Sequence, residues 1–224
     1  MKREIINTND GSTTIYLEQW DEHYHSKHGA VQEAYHVFIK SGLYEWLSLN
    51  DSKELRILEI GFGTGLNAFI TFLEHVKKGL NISYHGVEAY PVRAEEVALL
   101  NYVDQLSAQD FKATFSQMHN EDWDVDFNLD PSFTLRKRKQ LFNSINDHDA
   151  FDLVYFDAFG ARVQPELWDV SMFDRMYKAL DKNGILVTYA AKGSVRRAMQ
   201  EVGFLVEKLP GPPGKREMLR AVKE

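Results

Sequence analysis

The chain switches repeatedly between two hydrophobic periods. Residues 151–156, Phe-Asp-Leu-Val-Tyr-Phe, are nearly continuous in apolar side chains, as a central parallel strand covered on both faces requires. Shorter runs at 56–60, 82–88 and 184–189 read as further strands. Between them the spacing lengthens to a helical period. Val31, Ala34, Tyr35 and Phe38 share one face of a helix expected over 31–49, and further helices are expected over 66–78, 92–102, 165–180 and 195–202. Gly79 and Gly203 stand where helices stop, and Ser194 is placed to cap the last one. Strict alternation in Val125-Asp-Phe-Asn-Leu129 and Phe133-Thr-Leu135, either side of Asp130-Pro131, predicts paired strands within 121–139.

Near the amino terminus, Thr13-Thr-Ile-Tyr-Leu17 is β-like and precedes a polar, His-rich turn over 21–29. At the other end, segments 204–209 and 217–222 flank Pro210-Gly-Pro-Pro-Gly214. So short a link makes them an antiparallel hairpin, because a parallel pair needs a full crossover. The expected architecture is α/β: a doubly wound, mostly parallel sheet with one antiparallel C-terminal strand. Residues 56–224 would form this core and residues 1–55 a cap on it, within a single domain large enough to need neither metal nor disulfide support.

Cysteine is absent from the 224 residues, and the start Met1-Lys-Arg-Glu leads into polar residues instead of a signal-peptide core. Apolar runs are too short and too interrupted to cross a bilayer, so the expected setting is cytoplasmic, with no membrane partner. A formal net charge of −7 argues against general nucleic-acid coating. The charge is uneven, however. Residues 192–224 hold eight Lys or Arg against four acids, and Arg136-Lys-Arg-Lys139 forms a second basic run; each reads either as a solvated face or as a phosphate-binding one.

The candidate chemistry centres on Ile57-Leu-Glu-Ile-Gly-Phe-Gly-Thr-Gly-Leu-Asn67, a strand running into Gly61, Gly63 and Gly65. Glycines there allow positive φ and direct backbone approach to a ligand at the mouth of the next helix. The spacing departs from the dinucleotide fingerprint, since position 66 is Leu. Acid-x-Gly-x-Gly-x-Gly instead resembles the first motif of class I methyltransferases that use S-adenosyl-L-methionine (SAM). Glu88 ends the next strand, 23 positions after Gly65, where such folds place the carboxylate that accepts ribose hydroxyls. Glu59, inside its strand, is expected to hold the glycine loop or reach the ligand's amino group, since a buried carboxylate without a partner is costly. Asp157 closes strand 151–156 beside the crevice and can accept hydrogen bonds from an amine and stabilise the charge developing on its nitrogen. Tyr24, Phe159 and Trp168 are candidate walls of an acceptor pocket. His23, His25, His28 and His36 lack the paired spacing of a zinc site, so no metal is expected.

Four segments together resemble the methyltransferase domain of the MnmC family of tRNA wobble-uridine modification enzymes. They are Tyr24-His-Ser-Lys-His-Gly-Ala with Glu33 and His36-Val-Phe-Ile; Leu58 to Asn67; Tyr155-Phe-Asp-Ala-Phe159 with Gln164-Pro-Glu-Leu-Trp168; and Gly193 through Arg197 with Gly214-Lys-Arg-Glu-Met218. The resemblance implies a Rossmann-like class I fold and SAM-dependent methylation of the amine of 5-aminomethyl-(2-thio)uridine in the tRNA anticodon loop. It puts Glu59, Gly61, Gly63, Gly65, Asn67 and Glu88 at the cofactor, Asp157 at the transfer site, and Lys215 and Arg216 at RNA phosphates, beside acceptor-pocket residues Tyr24 and Phe159. It also implies a separate enzyme that supplies the aminomethyl group, since no oxidase segment follows. After Asp157 the chain reads Phe-Gly-Ala-Arg where that family has Phe-Ala-Pro, and only Lys139-Gln-Leu141 stands where an adenine-binding acid is usual. Methylation of a small molecule or protein, and SAM binding without catalysis, stay open as alternatives.

Overall fold

Residues 2–224 are described by a computed structural model. Strands β1 (Arg3–Asn7), β2 (Thr13–Leu17) and β3 (Glu22–His23) form an antiparallel ribbon. The central sheet contains β4 (Glu54–Ile60), β5 (Asn81–Glu88), β6 (Asp126–Asp130), β7 (Phe133–Lys139), β8 (Phe151–Phe156), β9 (Leu180–Thr188), β10 (Leu205–Pro210) and β11 (Glu217–Val222). Their order is β10-β11-β9-β8-β4-β5-β7-β6. The run from β9 to β7 is parallel, β11 opposes β9 and closes the expected hairpin with β10, and β6 opposes β7 at the far edge. The chain leaves β4 toward β5 and β7, and later builds β8 and β9 on the other side of β4. The carboxyl ends of β4 and β8 therefore flank the switch point, where open α/β sheets bind ligands.

Two apolar layers cover the sheet. Leu153 and Tyr155 of β8 face a layer shared with the Leu66–Lys78 helix and the helical stretch from Ala30 to Leu49, while Val154 and Phe156 face the Val170–Ala179 and Gly193–Glu201 helices. Both alternating sets are apolar because both faces are covered. The Ala30–Leu49 stretch widens to π-helical turns across Tyr35–Leu43. There Gly42 allows close approach: a Cβ on it would lie 2.9 Å from Val187 Cγ2.

Several elements differ from the expected pattern. The helix expected over 92–102 is two short ones, Ala94–Val97 and Tyr102–Gln105. Asn101 interrupts it by bonding the ribbon, accepting from Thr13 N (2.8 Å) and donating to Gly11 O (2.9 Å). The helix expected over 165–180 is a 3₁₀ turn, Pro165–Trp168, followed by Val170–Ala179, whose Asp169 cap accepts from Met172 N at 3.0 Å. Ser194 caps nothing: the last helix starts at Gly193, with Lys192 at its N-cap and no side-chain acceptor there. The β1 strand and the Lys112–Asn120 helix carry weak signals, because β1 is half-exposed and only Phe115 and Met118 of that helix are buried. Among the described residues no helix is long and apolar enough to cross a membrane.

Candidate functional site

The turn after β4 exists in this form only because of its glycines. Gly61 takes φ +93°, and a Cβ there would lie 2.7 Å from the Asp157 carbonyl oxygen, so a side chain would force the ends of β4 and β8 apart. The amides of Gly61 and Phe62 both donate to Val87 O at 3.0 Å, clasping the turn to β5. Gly63, at φ +51°, lies against the Tyr24 ring and donates its N–H to Glu88 Oε2 at 3.1 Å. Gly65, at φ +72°, opens the Leu66–Lys78 helix. Glu88 also accepts from Tyr90 N at 2.9 Å. Burial pushes its carboxyl above the ordinary range, and the two N–H groups pull in the opposite direction.

Asn67, in the first turn of that helix, joins two carboxyl groups. Its Nδ2 donates to Glu59 Oε1 and to Asp157 Oδ2, both at 2.9 Å. Glu59 is wholly buried, and burial raises its carboxyl well above the usual carboxylate range. It does not line the cavity, and its hydrogen bond goes to Asn67, which does, rather than to the glycine loop. Glu59 Oε2 and Asn67 Oδ1 are buried without a hydrogen-bond partner.

Asp157 stands at the end of β8, pushed up to about 7, first by burial and then by the nearby Glu33 charge, with Asn67 and Lys215 acting against them. Lys215 stands near this carboxyl but outside the cavity lining: its ammonium pairs with Glu33 Oε1 at 2.6 Å and sits 3.7 Å from the centre of the Tyr189 ring. Tyr189 in turn donates to Ala158 O at 2.8 Å. Arg216, by contrast, is exposed and makes no ion pair among the described residues, as do Lys192 and Arg197. Aromatic rings complete the side: Phe159 meets Tyr24 edge-on at 5.0 Å and Trp20 at 5.6 Å. Trp168 supports the Phe159 carbonyl by an indole N–H bond of 2.7 Å.

These residues converge on one cavity of about 570 Å³, lined by Gly61, Gly63, Asn67, Glu88, Asp157, Tyr24 and Phe159 among others. The volume suits a nucleoside-sized ligand. The orphaned acceptor on Asn67, a residue of the cavity lining, fits a cofactor rich in hydroxyl and ammonium donors such as SAM. Arg3, Trp20, Tyr90, Leu141, Phe142 and Asn143 also line it, and sequence reasoning missed them. The last three follow β7 after Gln140, in the segment where no acid was found. Gly65 and Lys215 stand outside the lining.

The basic run at 136–139 is no free phosphate face. Lys137 is wholly buried, donating to His119 O (3.0 Å) and Glu121 O (2.7 Å), and burial lowers its ammonium to about 8. Arg138 pairs with Asp147 at 2.8 Å. The histidines are dispersed: His25 contacts Thr14, His36 meets Pro210 O at 2.8 Å, and His23 packs on Tyr16. No group of three or more metal-ligating side chains occurs among the described residues.

Residues 104–224 match the profile of a family described as S-adenosyl-L-methionine-dependent methyltransferase. The chain is 30% identical to the tRNA 5-methylaminomethyl-2-thiouridine biosynthesis bifunctional protein MnmC of Idiomarina loihiensis, over 94% of this chain and 38% of that one. It is 29% identical to the MnmC of Leptospira interrogans, over 92% of this chain and 33% of the relative. The chain thus spans about a third of the length of the curated relatives it matches. In fold it is similar to the crystal structure of MNMC2 from Aquifex aeolicus, with a TM-score of 0.77 and 23% identity, covering 100% of this chain and 70% of that one. It is also similar to spermidine synthase from Thermotoga maritima, with a TM-score of 0.61 and 13% identity, covering 99% and 68%.

Proposed function

Because the chain belongs to the S-adenosyl-L-methionine-dependent methyltransferase family, we propose that it methylates the primary amine of 5-aminomethyl-(2-thio)uridine at the tRNA wobble position. The observation that carries this reading is the position of Asp157. Its carboxyl is fixed by Asn67 at 2.9 Å and opens into the same cavity as the glycine turn and Glu88, so an amine-directed group and a nucleoside-directed group share one space. The similarity to MnmC proteins supports the choice of acceptor.

Bound SAM supplies the methyl group as an electrophilic sulfonium. In this reading Glu88 accepts hydrogen bonds from the ribose hydroxyls, the glycine turn lets the backbone come close, and Asn67 Oδ1 takes a donor from the cofactor. Asp157 accepts a hydrogen bond from the acceptor amine, leaving the nitrogen lone pair free to point into the cavity. As the new C–N bond replaces the donor's S–CH3 bond, whose electron pair stays on sulfur as a neutral thioether, the nitrogen would become cationic and release one proton, which the Asp157 carboxylate would take. A carboxyl held at about 7 is ionised in a large share of molecules at cellular pH and also able to hold that proton.

An anticodon-loop base is already single-stranded and can be splayed against Trp20, Tyr24 and Phe159 at modest unstacking cost. Arg216, exposed and without an ion pair among the described residues, is the member of the Lys215-Arg216 pair suited to a phosphate, and exposed Lys192 and Arg197 belong to the same basic excess in the sequence. The aminomethyl group would have to be in place on the uridine first. The reading is tested by incubating the protein with labelled SAM and either unmodified or aminomethyl-bearing tRNA, followed by nucleoside mass spectrometry. Methylaminomethyluridine from the second alone is expected; label in neither refutes the reading.

A further inference from the structure

The loop after Asp157 carries Arg162, which the chemistry above does not use. It does not line the cavity, and its side chain is 58% exposed, yet its Nη2 reaches three acceptors on the turn between β2 and β3. These are Trp20 O and Asp21 O, each at 2.8 Å, and Glu22 Oε2 at 3.1 Å. That turn needs holding. Asp21 adopts φ +45°, in the left-handed region that a non-glycine residue enters at a cost. Tyr16 assists from the other side, its hydroxyl donating to Asp21 Oδ1 at 3.0 Å.

The turn delivers Trp20, whose ring meets Phe159 edge-on at 5.6 Å on the Asp157 side of the cavity. Arg162 and Phe159 lie on the same loop, so one segment supplies both an aromatic wall and the clamp that brings the second aromatic ring to it. The rest of the ribbon is anchored separately. Arg3 pairs with Glu96 at 3.0 Å, and Asn101 bonds Thr13 and Gly11. Loss of Arg162 would therefore free the Trp20 turn while leaving the ribbon in place.

We infer that Arg162 is a positioning residue for the acceptor: by fastening the Trp20–Glu22 turn to the Asp157 loop it fixes Trp20 as a wall of the acceptor slot, selecting planar bases that pack on Trp20 and Phe159. This rests on the proposed methyl transfer at Asp157. Two carbonyl bonds, rather than the ion pair with Glu22, do the fastening, because a pair made by a largely exposed guanidinium contributes little.

The test compares the full chain with Arg162→Ala, Arg162→Lys and Glu22→Gln. The quantities measured are acceptor KM and kcat on aminomethyl-bearing tRNA, SAM affinity by calorimetry, and amide hydrogen exchange across residues 16–24. Arg162→Ala is expected to raise acceptor KM about tenfold, since small misplacements of positioning groups cost one to two decades. It should leave SAM affinity unchanged and quicken exchange in 16–24. Arg162→Lys should recover part of the effect, and Glu22→Gln should match wild type. Unchanged exchange in Arg162→Ala overturns the clamp itself. Faster exchange with unchanged KM, or SAM affinity and KM lost together, overturns the positioning role. A wild type that methylates no tRNA overturns the functional reading and with it the acceptor role, while exchange still decides the clamp.

Discussion

Replacing Asp157 by Asn should lower activity and raise stability at once. The amide is nearly isosteric and can still accept from Asn67 Nδ2, now 2.9 Å from Asp157 Oδ2. What it loses is the ability to ionise. The wild-type carboxyl is raised to about 7 from an ordinary value of about 3.9, which makes ionising it in the folded state cost roughly 4 kcal/mol. Asp157 is partly open to the cavity, so solvent reduces this to a working figure of about 2 kcal/mol. The sign follows from proton linkage. The folded state keeps the Asp157 proton up to about pH 7, whereas the unfolded chain releases it near pH 4. The favourable contribution is therefore complete below pH 4, declines as pH rises toward 7, and is absent above. Asp157→Asn removes that decline. At pH 8 the variant should melt roughly 4–8 °C above wild type, and the two should converge at pH 4. Over the same range wild-type kcat/KM on aminomethyl-bearing tRNA should rise through pH 7, while the variant's stays flat and about 10²- to 10⁴-fold lower. Scanning calorimetry from pH 4 to 8, paired with rate profiles, makes both measurements. A variant that melts at or below wild type at pH 8 would refute the claim that Asp157 is held at an energetic cost, and a pH-independent wild-type rate would refute its role as proton acceptor.

Gly61→Ala would set a methyl group 2.7 Å from the Asp157 carbonyl oxygen at φ +93°; it should destabilise the fold by about 1–3 kcal/mol and abolish heat on titration with SAM. Glu88→Gln keeps the turn contacts to Gly63 and Tyr90 in part but weakens acceptance from ribose hydroxyls, so SAM affinity should fall about tenfold, equivalent to about 1.4 kcal/mol, with little change in melting temperature without ligand. Arg216→Ala should weaken tRNA binding alike for modified and unmodified tRNA and reduce the slope of log affinity against log salt by about one, as read by filter binding. Lys137→Met should leave that slope untouched, because Lys137 is buried beneath Trp123.

Much of the fold was written in short-range pattern. The Leu66–Lys78 helix with Gly79 after it, β8 at Phe151–Phe156 and β11 at Glu217–Val222 stand where the periods put them, since each buries a face whose apolar repeat is local. Even Lys137 had a signal in the two-residue period, lying in phase with the buried Phe133 and Leu135 of β7; reading the run only as charge concealed it. The breaks were not local. Asn101, at the N-cap of Tyr102–Gln105, breaks the expected helix by bonding Thr13, 88 positions away, and no window around residue 101 contains that partner.

The sequence alone determined a glycine turn between strand and helix, an acid at the end of the next strand and another at the end of β8, because backbone freedom and strand-end placement depend on immediate neighbours. Only the tertiary structure decided that Asn67 ties Glu59 to Asp157, that Lys215 is engaged by Glu33 and Tyr189 outside the cavity lining, and that Trp20 and Leu141 to Asn143 help line the same cavity as Asp157. Those relations arise where segments far apart in the chain converge on the switch point between β4 and β8, and their burial and charge follow from what packs around them, which no linear period records.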